Sequence, residues 1–316
     1  MALDQESQWV LDLVAEANRP KLNTLSPPDA RAAYSANVGA LDTPKVEVAM
    51  VEDHMVPVAG GEILVRTYRS HARVNDQNAP CLVYYHGGGW VIGNVEDYDR
   101  VCRAMAEKAG IVVASVDYRL APEHKFPVPV DDSLAAWRWI AANTDALGVD
   151  PARLAVGGDS AGGNISAVLT QQLAGDDIAP MFQMLIYPAT DMSVEHPSWS
   201  ENAEGKLLDR DLITWFQAQY LPEDADRTDL RLSPMLAEKV AHLPEAFVLT
   251  AGADPLRDEG VAYAGRLMRE GVNVEHLHMA GQLHGFFNMA GALKGAKRAL
   301  DAASMALGRA LADPAK

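Results

Sequence analysis

The stretch Leu154-Ala155-Val156-Gly157-Gly158-Asp159-Ser160-Ala161-Gly162-Gly163-Asn164 passes from an apolar run into a serine set among small residues, then into a helical pattern. That order fits a nucleophile elbow, a sharp strand-to-helix turn that lifts a serine out of a sheet. Its strained backbone leaves no room for bulky neighbours. Gly158, Ala161 and Gly162 supply the smallness. A bare G-x-S-x-G arises by chance in roughly one chain in ten of this length, so the turn needs corroboration.

Corroboration begins upstream, where the apolar run at residues 81–85 leads into His86-Gly87-Gly88-Gly89-Trp90. A glycine-rich run after a strand serves as a tight turn, a phosphate cradle or an oxyanion hole. Neither dinucleotide spacing nor a P-loop lysine follows Gly89, which argues against phosphate. Gly88 and Gly89 can aim backbone N–H groups at an oxyanion with no Cβ in the way. The Ala161 N–H, at the start of the elbow helix, adds the field of a helix terminus. His86 precedes the glycines and is read as shaping the loop through its ring, not as a base.

Around these motifs, apolar strand-like runs alternate with helical patterns. After a hairpin formed by residues 46–58 and 62–68, runs fall at 81–85, 111–116, 154–156, 181–187, 246–250 and 272–278. Helical patterns lie between them, and a last one spans 293–311. Nearly continuous apolar strands in βα units mean a mostly parallel sheet covered by helices on both faces, with an antiparallel edge from the hairpin. Ligands bind such sheets beyond the carboxyl ends of the strands. Two segments stand outside this rhythm: the helical start up to about residue 45 and the polar stretch 193–235, with its own helix at 208–220. The second is too long for an ordinary connection and is expected to pack with the first as a lid.

Composition bounds the chemistry. At 316 residues, 48% hydrophobic, the chain can bury a large core, and its net charge of −16 disfavours nucleic acid and anionic membranes as partners. Two cysteines, Cys81 and Cys102, fall in apolar patterns and read as reduced core residues, with no disulfide framework expected. No apolar run has the length of a membrane span, and the first residues lack the order of a signal peptide, so a cytoplasmic protein is expected. Nine histidines show no metal-ligand spacing; His276 and His278 read as neighbours on one strand face.

A serine hydroxyl needs a base in hydrogen-bond reach and a third group to hold that base's tautomer. An elbow serine is followed in the chain by its acid and then its histidine, which confines the search to residues after Ser160. Asp254 follows the buried run 246–250, and His284 follows the run 272–279 on a glycine-flanked loop. Asp258 and Asp191 compete as the acid. Asp258 is read as a cap of the next helix, and Asp191 sits one strand too early.

At this point the chain resembles the hormone-sensitive-lipase-like (bacterial family IV) carboxylesterases of the α/β-hydrolase fold. The resemblance rests on His86-Gly87-Gly88-Gly89, Asp117-Tyr118-Arg119-Leu120-Ala121-Pro122-Glu123-His124, Gly158-Asp159-Ser160-Ala161-Gly162-Gly163-Asn164, Asp254-Pro255-Leu256-Arg257-Asp258 and His284-Gly285-Phe286. It implies a triad of Ser160, Asp254 and His284, and an oxyanion hole of Gly88, Gly89 and Ala161. It also implies an eight-stranded sheet with a helical cap made of residues 1–45 and 193–235, the catalytic domain being 46–192 and 236–316. The loop carrying Arg119, Pro122 and Glu123 is expected to be structural, and Asp159 to support the site without touching substrate.

The expected activity is hydrolysis of short- to medium-chain carboxylic esters through an acyl-enzyme, with a small-molecule substrate and neither metal nor organic cofactor. Trp90, Trp215, Phe286 and Phe287 are expected as pocket walls, and the resemblance suggests a homodimer formed along the last strand. Trp90 departs from the phenylalanine more frequent in the family and matches the His-Gly-Gly-x-Trp signature of arylformamidases. That keeps an amide-cleaving alternative open, and a catalytically inactive ligand receptor of the same fold is the third reading.

Overall fold

The computed structural model describes residues 3–313. A hairpin opens the sheet: β1 (Met50–Val58) and β2 (Gly61–Arg69) pair antiparallel, joined at Gly60, whose φ of 82° suits a residue without a Cβ. There follow β3 (Ala79–Tyr85), β4 (Val112–Asp117), β5 (Val149–Asp159), β6 (Phe182–Ile186), β7 (Glu245–Ala253) and β8 (Val274–Leu283). The eight strands lie in the order β1-β2-β4-β3-β5-β6-β7-β8. From β4 onwards across the sheet all pairs are parallel, while β2 meets β4 antiparallel. This is the α/β-hydrolase fold.

The helices are α1 (Gln5–Ala17), α2 (Pro27–Val38), α3 (Asp99–Ala109), α4 (Val128–Ala142), α5 (Thr144–Leu147), α6 (Ala161–Gln172), α7 (Pro197–Glu201), α8 (Arg210–Tyr220), α9 (Arg257–Arg269) and α10 (Lys294–Ala310). Their starts are written in the sequence. The Asp4 carboxylate accepts the Ser7 N–H at 2.8 Å, Asp209 accepts Leu212 N–H at 2.9 Å, and α2 opens with Pro27 behind Ser26. Helix α4 opens with Val128-Pro129, a proline being tolerated in a first turn. Asp258 lies inside the first turn of α9 instead of capping it; its carboxylate accepts the Ser198 N–H and pairs with Arg257.

Strand β3 shows how the core is divided. Cys81, Val83 and Tyr85 face the layer built with α4 and α6, while Leu82 and Tyr84 face that of α3 and α10. Alternating side chains buried on both faces make the strand a continuous apolar run, as the sequence reads. Truncating such a residue, for instance Leu82→Ala, costs about 2–5 kcal/mol. Cys81 and Cys102 are buried free thiols.

The start of the chain and the 193–235 stretch meet over one end of the sheet. Lys21 Nζ lies 3.1 Å from Asp209 Oδ2, and Leu22, Leu25 and Tyr34 pack with Ile213, Phe216 and Tyr220 in one apolar cluster. Among the described residues, no helix is long and apolar enough to cross a membrane.

The strand order fixes where a site can form. From β3 the chain moves outward to β4, then returns across β3 to β5, so the crevice beyond the carboxyl ends of β3 and β5 is a topological switch point. The register Tyr85↔Gly158 carries the chain into His86 at the end of one strand and into Asp159 and Ser160 at the end of its neighbour.

Candidate active site

Ser160 joins β5 to α6 with φ 56° and ψ −115°, a conformation costly for any residue with a Cβ. Its N–H is anchored on the Ile186 carbonyl at 2.8 Å and its carbonyl accepts the Asn164 N–H at 3.0 Å. The neighbours must be small for reasons of distance. A Cβ on Gly162 would fall 1.8 Å from the Tyr85 oxygen, and one on Gly158 would fall 2.4 Å from the same atom.

Two later strand ends complete the set. Asp254 follows β7 directly, is fully buried, and accepts the Leu256 N–H at 2.8 Å with Oδ1. Its Oδ2 lies 2.7 Å from His284 Nδ1, and His284 Nε2 lies 2.9 Å from Ser160 Oγ. A buried carboxylate at Nδ1 favours the tautomer with the proton there, which leaves the Nε2 lone pair facing the Ser160 hydroxyl. The strand before His284 runs on to Leu283, past a register shift opposite Ala251 and Ala253, so the histidine sits closer to a strand end than the sequence indicates. Asp191 lies elsewhere: its Oδ1 accepts the Ser193 N–H at 3.0 Å.

The loop after β3 turns sharply at Gly88, Gly89 and Trp90, with φ of 108°, 60° and 61°. Gly88 O accepts the N–H groups of Val91 and Ile92 at 3.1 and 3.0 Å. His86 stacks on Tyr118 with centroids 4.4 Å apart, its Nδ1 lies 2.7 Å from Gly87 O, and burial pulls its pKa down to about 4. It is a neutral spacer. Asp159 supports the loop from below: Oδ1 accepts the Gly87 N–H at 2.9 Å and the Tyr84 hydroxyl at 2.8 Å, and Oδ2 accepts the Tyr98 hydroxyl at 3.2 Å. Burial pushes its carboxyl up to about 6. Arg119 forks onto Asp132 at 2.7 and 2.8 Å, holding the loop after β4 as structure.

The aromatic residues divide. Trp90 is nearly buried and stacks on Tyr220; Trp215 is half-buried beside Phe216. Phe286 and Phe287 are fully buried and belong to the cluster packed by α10 on the other layer, so they hold the core and do not wall an open pocket. Two side chains at the site escaped the sequence reading. Tyr187, at φ 34° after β6, places its ring 4.5 Å from that of His284. Phe216 covers Gly89, where an added Cβ would fall 2.3 Å from the ring. Tyr187 carried one signal, its place at a strand end on the same edge; Phe216 carried none. Among the described residues no cluster of three or more His, Cys, Asp or Glu side chains could hold a metal ion.

An elbow serine, a histidine within reach of it and a buried aspartate behind the histidine define a serine hydrolase of the α/β-hydrolase class. The sequence profile of an α/β-hydrolase-fold family matches residues 82–288. The chain belongs to the hormone-sensitive-lipase-like carboxylesterases within that class and hydrolyses carboxylic esters. It is 48% identical over 240 residues to carboxylesterase NlhH of Mycobacterium tuberculosis, covering 74% of this chain and 75% of the relative. With ethyl acetate hydrolase of Pseudomonas putida it shares 37% over 308 residues, covering 95% and 96%. An α/β-hydrolase enzyme from the metagenome of Lake Arreo superimposes with a TM-score of 0.94 at 46% identity, covering 97% and 98% of the two chains. The hyperthermophilic esterase of Pyrobaculum calidifontis superimposes with 0.91 at 37% identity, covering 99% and 100%.

Proposed function

We propose that Ser160, His284 and Asp254 are the triad of an esterase acting on short- to medium-chain esters, with Gly88, Gly89 and Ala161 as the oxyanion hole. The observation that carries this is the unbroken chain Asp254 Oδ2, His284 Nδ1, His284 Nε2, Ser160 Oγ, at 2.7 and 2.9 Å. His284 takes the serine proton as Oγ attacks the ester carbonyl. The oxyanion that forms is met by backbone N–H groups held in place before the reaction, a contribution worth ~10²–10³ in turnover per donor. Collapse expels the alcohol, protonated by His284, and leaves an acyl-enzyme. Water, deprotonated by the same imidazole, then attacks the acyl carbon, and the serine is released with its proton restored. Asp254 stays ionised and stabilises the imidazolium at each stage.

The preference for small acyl groups is supported by the ceiling over the hole. Phe216 lies against Gly89 and Trp90 against Tyr220, so helix α8 closes directly on the loop. Residues 1–45 and 193–235 thus act together as the cap. Similarity to an ethyl acetate hydrolase along almost the whole chain points the same way. None of the relatives named above is an arylformamidase, and Trp90 finds its use in packing. Strand β8, the last in the sheet, supports the homodimer expected along that edge, which light scattering of the purified protein tests.

Labelling with a fluorophosphonate and mapping the adduct is the decisive experiment. The label is expected on Ser160, and Ser160→Ala is expected to lower hydrolysis of p-nitrophenyl acetate by about 10⁵-fold or more. An adduct on another residue overturns the assignment. Turnover of N-formylkynurenine above that of the acetate ester overturns the ester preference.

A further inference from the structure

Helix α2 is hydrogen-bonded to the oxyanion loop through Arg31. Arg31 Nε donates to the Val91 carbonyl at 2.8 Å, and Arg31 Nη2 donates to the Ala121 carbonyl at 2.7 Å. The Ala121 N–H in turn donates to the Trp90 carbonyl at 2.9 Å, so the guanidinium bridges two segments that are bonded to each other beside the loop. Glu123 closes the fork from the far side, its Oε1 and Oε2 accepting from Nη1 and Nη2 at 2.9 and 2.5 Å. A planar, five-donor group can serve two carbonyls and both carboxylate oxygens at once; an ammonium, with three donors, cannot.

The loop has reason to need this. Gly88, Gly89 and Trp90 all adopt positive φ, and Trp90 does so with a Cβ. The turn is closed on its inner side by Val91 and Ile92 N–H groups on Gly88 O, and Asp159 holds its entry at Gly87. Its exit at Val91 is held by Arg31. A second tether runs alongside, the Ser35 hydroxyl donating to Asp97 Oδ2 at 2.9 Å.

We propose that Arg31 is a positioning residue for ester hydrolysis, coupling the docking of helix α2 to the geometry of the Gly88 and Gly89 amides, with Glu123 holding its guanidinium in place. This rests on the oxyanion-hole reading given above. The N-terminal segment then acts on turnover as well as on substrate access. Because Arg31 touches neither substrate nor Ser160, its loss displaces donors instead of deleting one, so its effect is smaller than the ~10²–10³ of a lost donor.

The test compares the wild type with Arg31→Met, Arg31→Lys and Glu123→Gln, each counted by fluorophosphonate titration of Ser160 so that only competent sites are compared. With p-nitrophenyl acetate, Arg31→Met is expected to lower kcat per titrated site by about 10–50-fold with KM within about threefold, as loss of transition-state binding requires. Affinity for a trifluoromethyl ketone, whose adduct places an oxyanion in the hole, is expected to fall by a similar factor. Arg31→Lys should recover part of the loss, and Glu123→Gln, which leaves both carbonyl contacts intact, should lower kcat by about 2–5-fold in the same sense. Should Arg31→Met not fold, Glu123→Gln and Arg31→Lys decide. An unchanged kcat per titrated site, or a change confined to KM, overturns the proposal. If the wild type takes no label at Ser160, the triad reading itself has failed, a distinct result.

Discussion

Trp90 lies flat on Tyr220, ring centroids 4.4 Å apart and planes within 2° of parallel. One ring belongs to the loop after β3 and the other to the last turn of α8, so this contact joins the sheet to the segment above it. The Tyr220 hydroxyl is buried and makes no hydrogen bond. Tyr220→Phe keeps the stack and removes a stranded polar atom, and is expected to change stability by less than about 1 kcal/mol, with any change favourable. Tyr220→Ala removes the ring and is expected to cost about 3–5 kcal/mol. Chemical unfolding of the three proteins checks both.

Gly89 is constrained twice, by its φ of 60° and by the ring of Phe216 standing where a Cβ would be. On the proposed oxyanion-hole reading, Gly89→Ala is expected to lower kcat for p-nitrophenyl acetate by about 10²-fold, since a Cβ driven against the Phe216 ring forces the Gly89 amide wholly out of donor geometry. In Gly89→Ala/Phe216→Ala the clash is gone but the backbone strain is not. The double variant should therefore recover part of the loss and no more, a coupling that a double-mutant cycle reads directly. Purely additive effects would mean that Phe216 exerts no pressure on the loop.

What the sequence disclosed follows from how local each signal is. Ser160, Asp254 and His284 could be placed because each follows an apolar run, and parallel strands of one sheet deliver their carboxyl ends to one edge. The turn at Gly88 and Gly89 was readable because positive φ leaves glycines behind. Phe286 and Phe287 were misplaced because adjacency to His284 says nothing about which layer a ring enters after a turn at Gly285. Arg31 and Phe216 left no trace, since their partners lie 60 and more positions away and depend on how the helices dock. Short helices such as α7, five residues long, carry too little periodicity to read.

Asp159 holds three donors at once: the Gly87 N–H and the hydroxyls of Tyr84 and Tyr98, all buried. Asp159→Ala strands all of them, at ~1–3 kcal/mol each before relaxation, so a loss of about 3 kcal/mol or more is expected. Asp159→Asn retains an acceptor for the Gly87 N–H, and a tyrosine hydroxyl can rotate to accept from its amide. Its stability should lie between that of Asp159→Ala and the wild type. Urea unfolding gives the order, and the reverse order would show that the negative charge, not the hydrogen bonding, is what the site requires.

Glu259 gives the fold a pH dependence whose sign can be worked out. Its carboxylate accepts the Thr190 N–H at 2.7 Å and its own carbonyl accepts the Thr190 hydroxyl at 3.0 Å, clamping α9 to the segment after β6. Burial pushes the carboxyl up to about 8. In the unfolded chain it ionises near the ordinary ~4.3. Between those values the folded protein holds a proton that the unfolded chain has released, so this residue's contribution is complete below the lower value and is lost as pH rises towards the upper. Glu259→Gln keeps an acceptor for Thr190 and has no proton to lose. Its stability relative to the wild type is therefore expected to improve steadily from about pH 5 to about pH 8, as read from urea midpoints at intervals across that window. Parallel curves for the two proteins would mean that Glu259 is ionised in the folded state, and that its burial is offset by a partner charge.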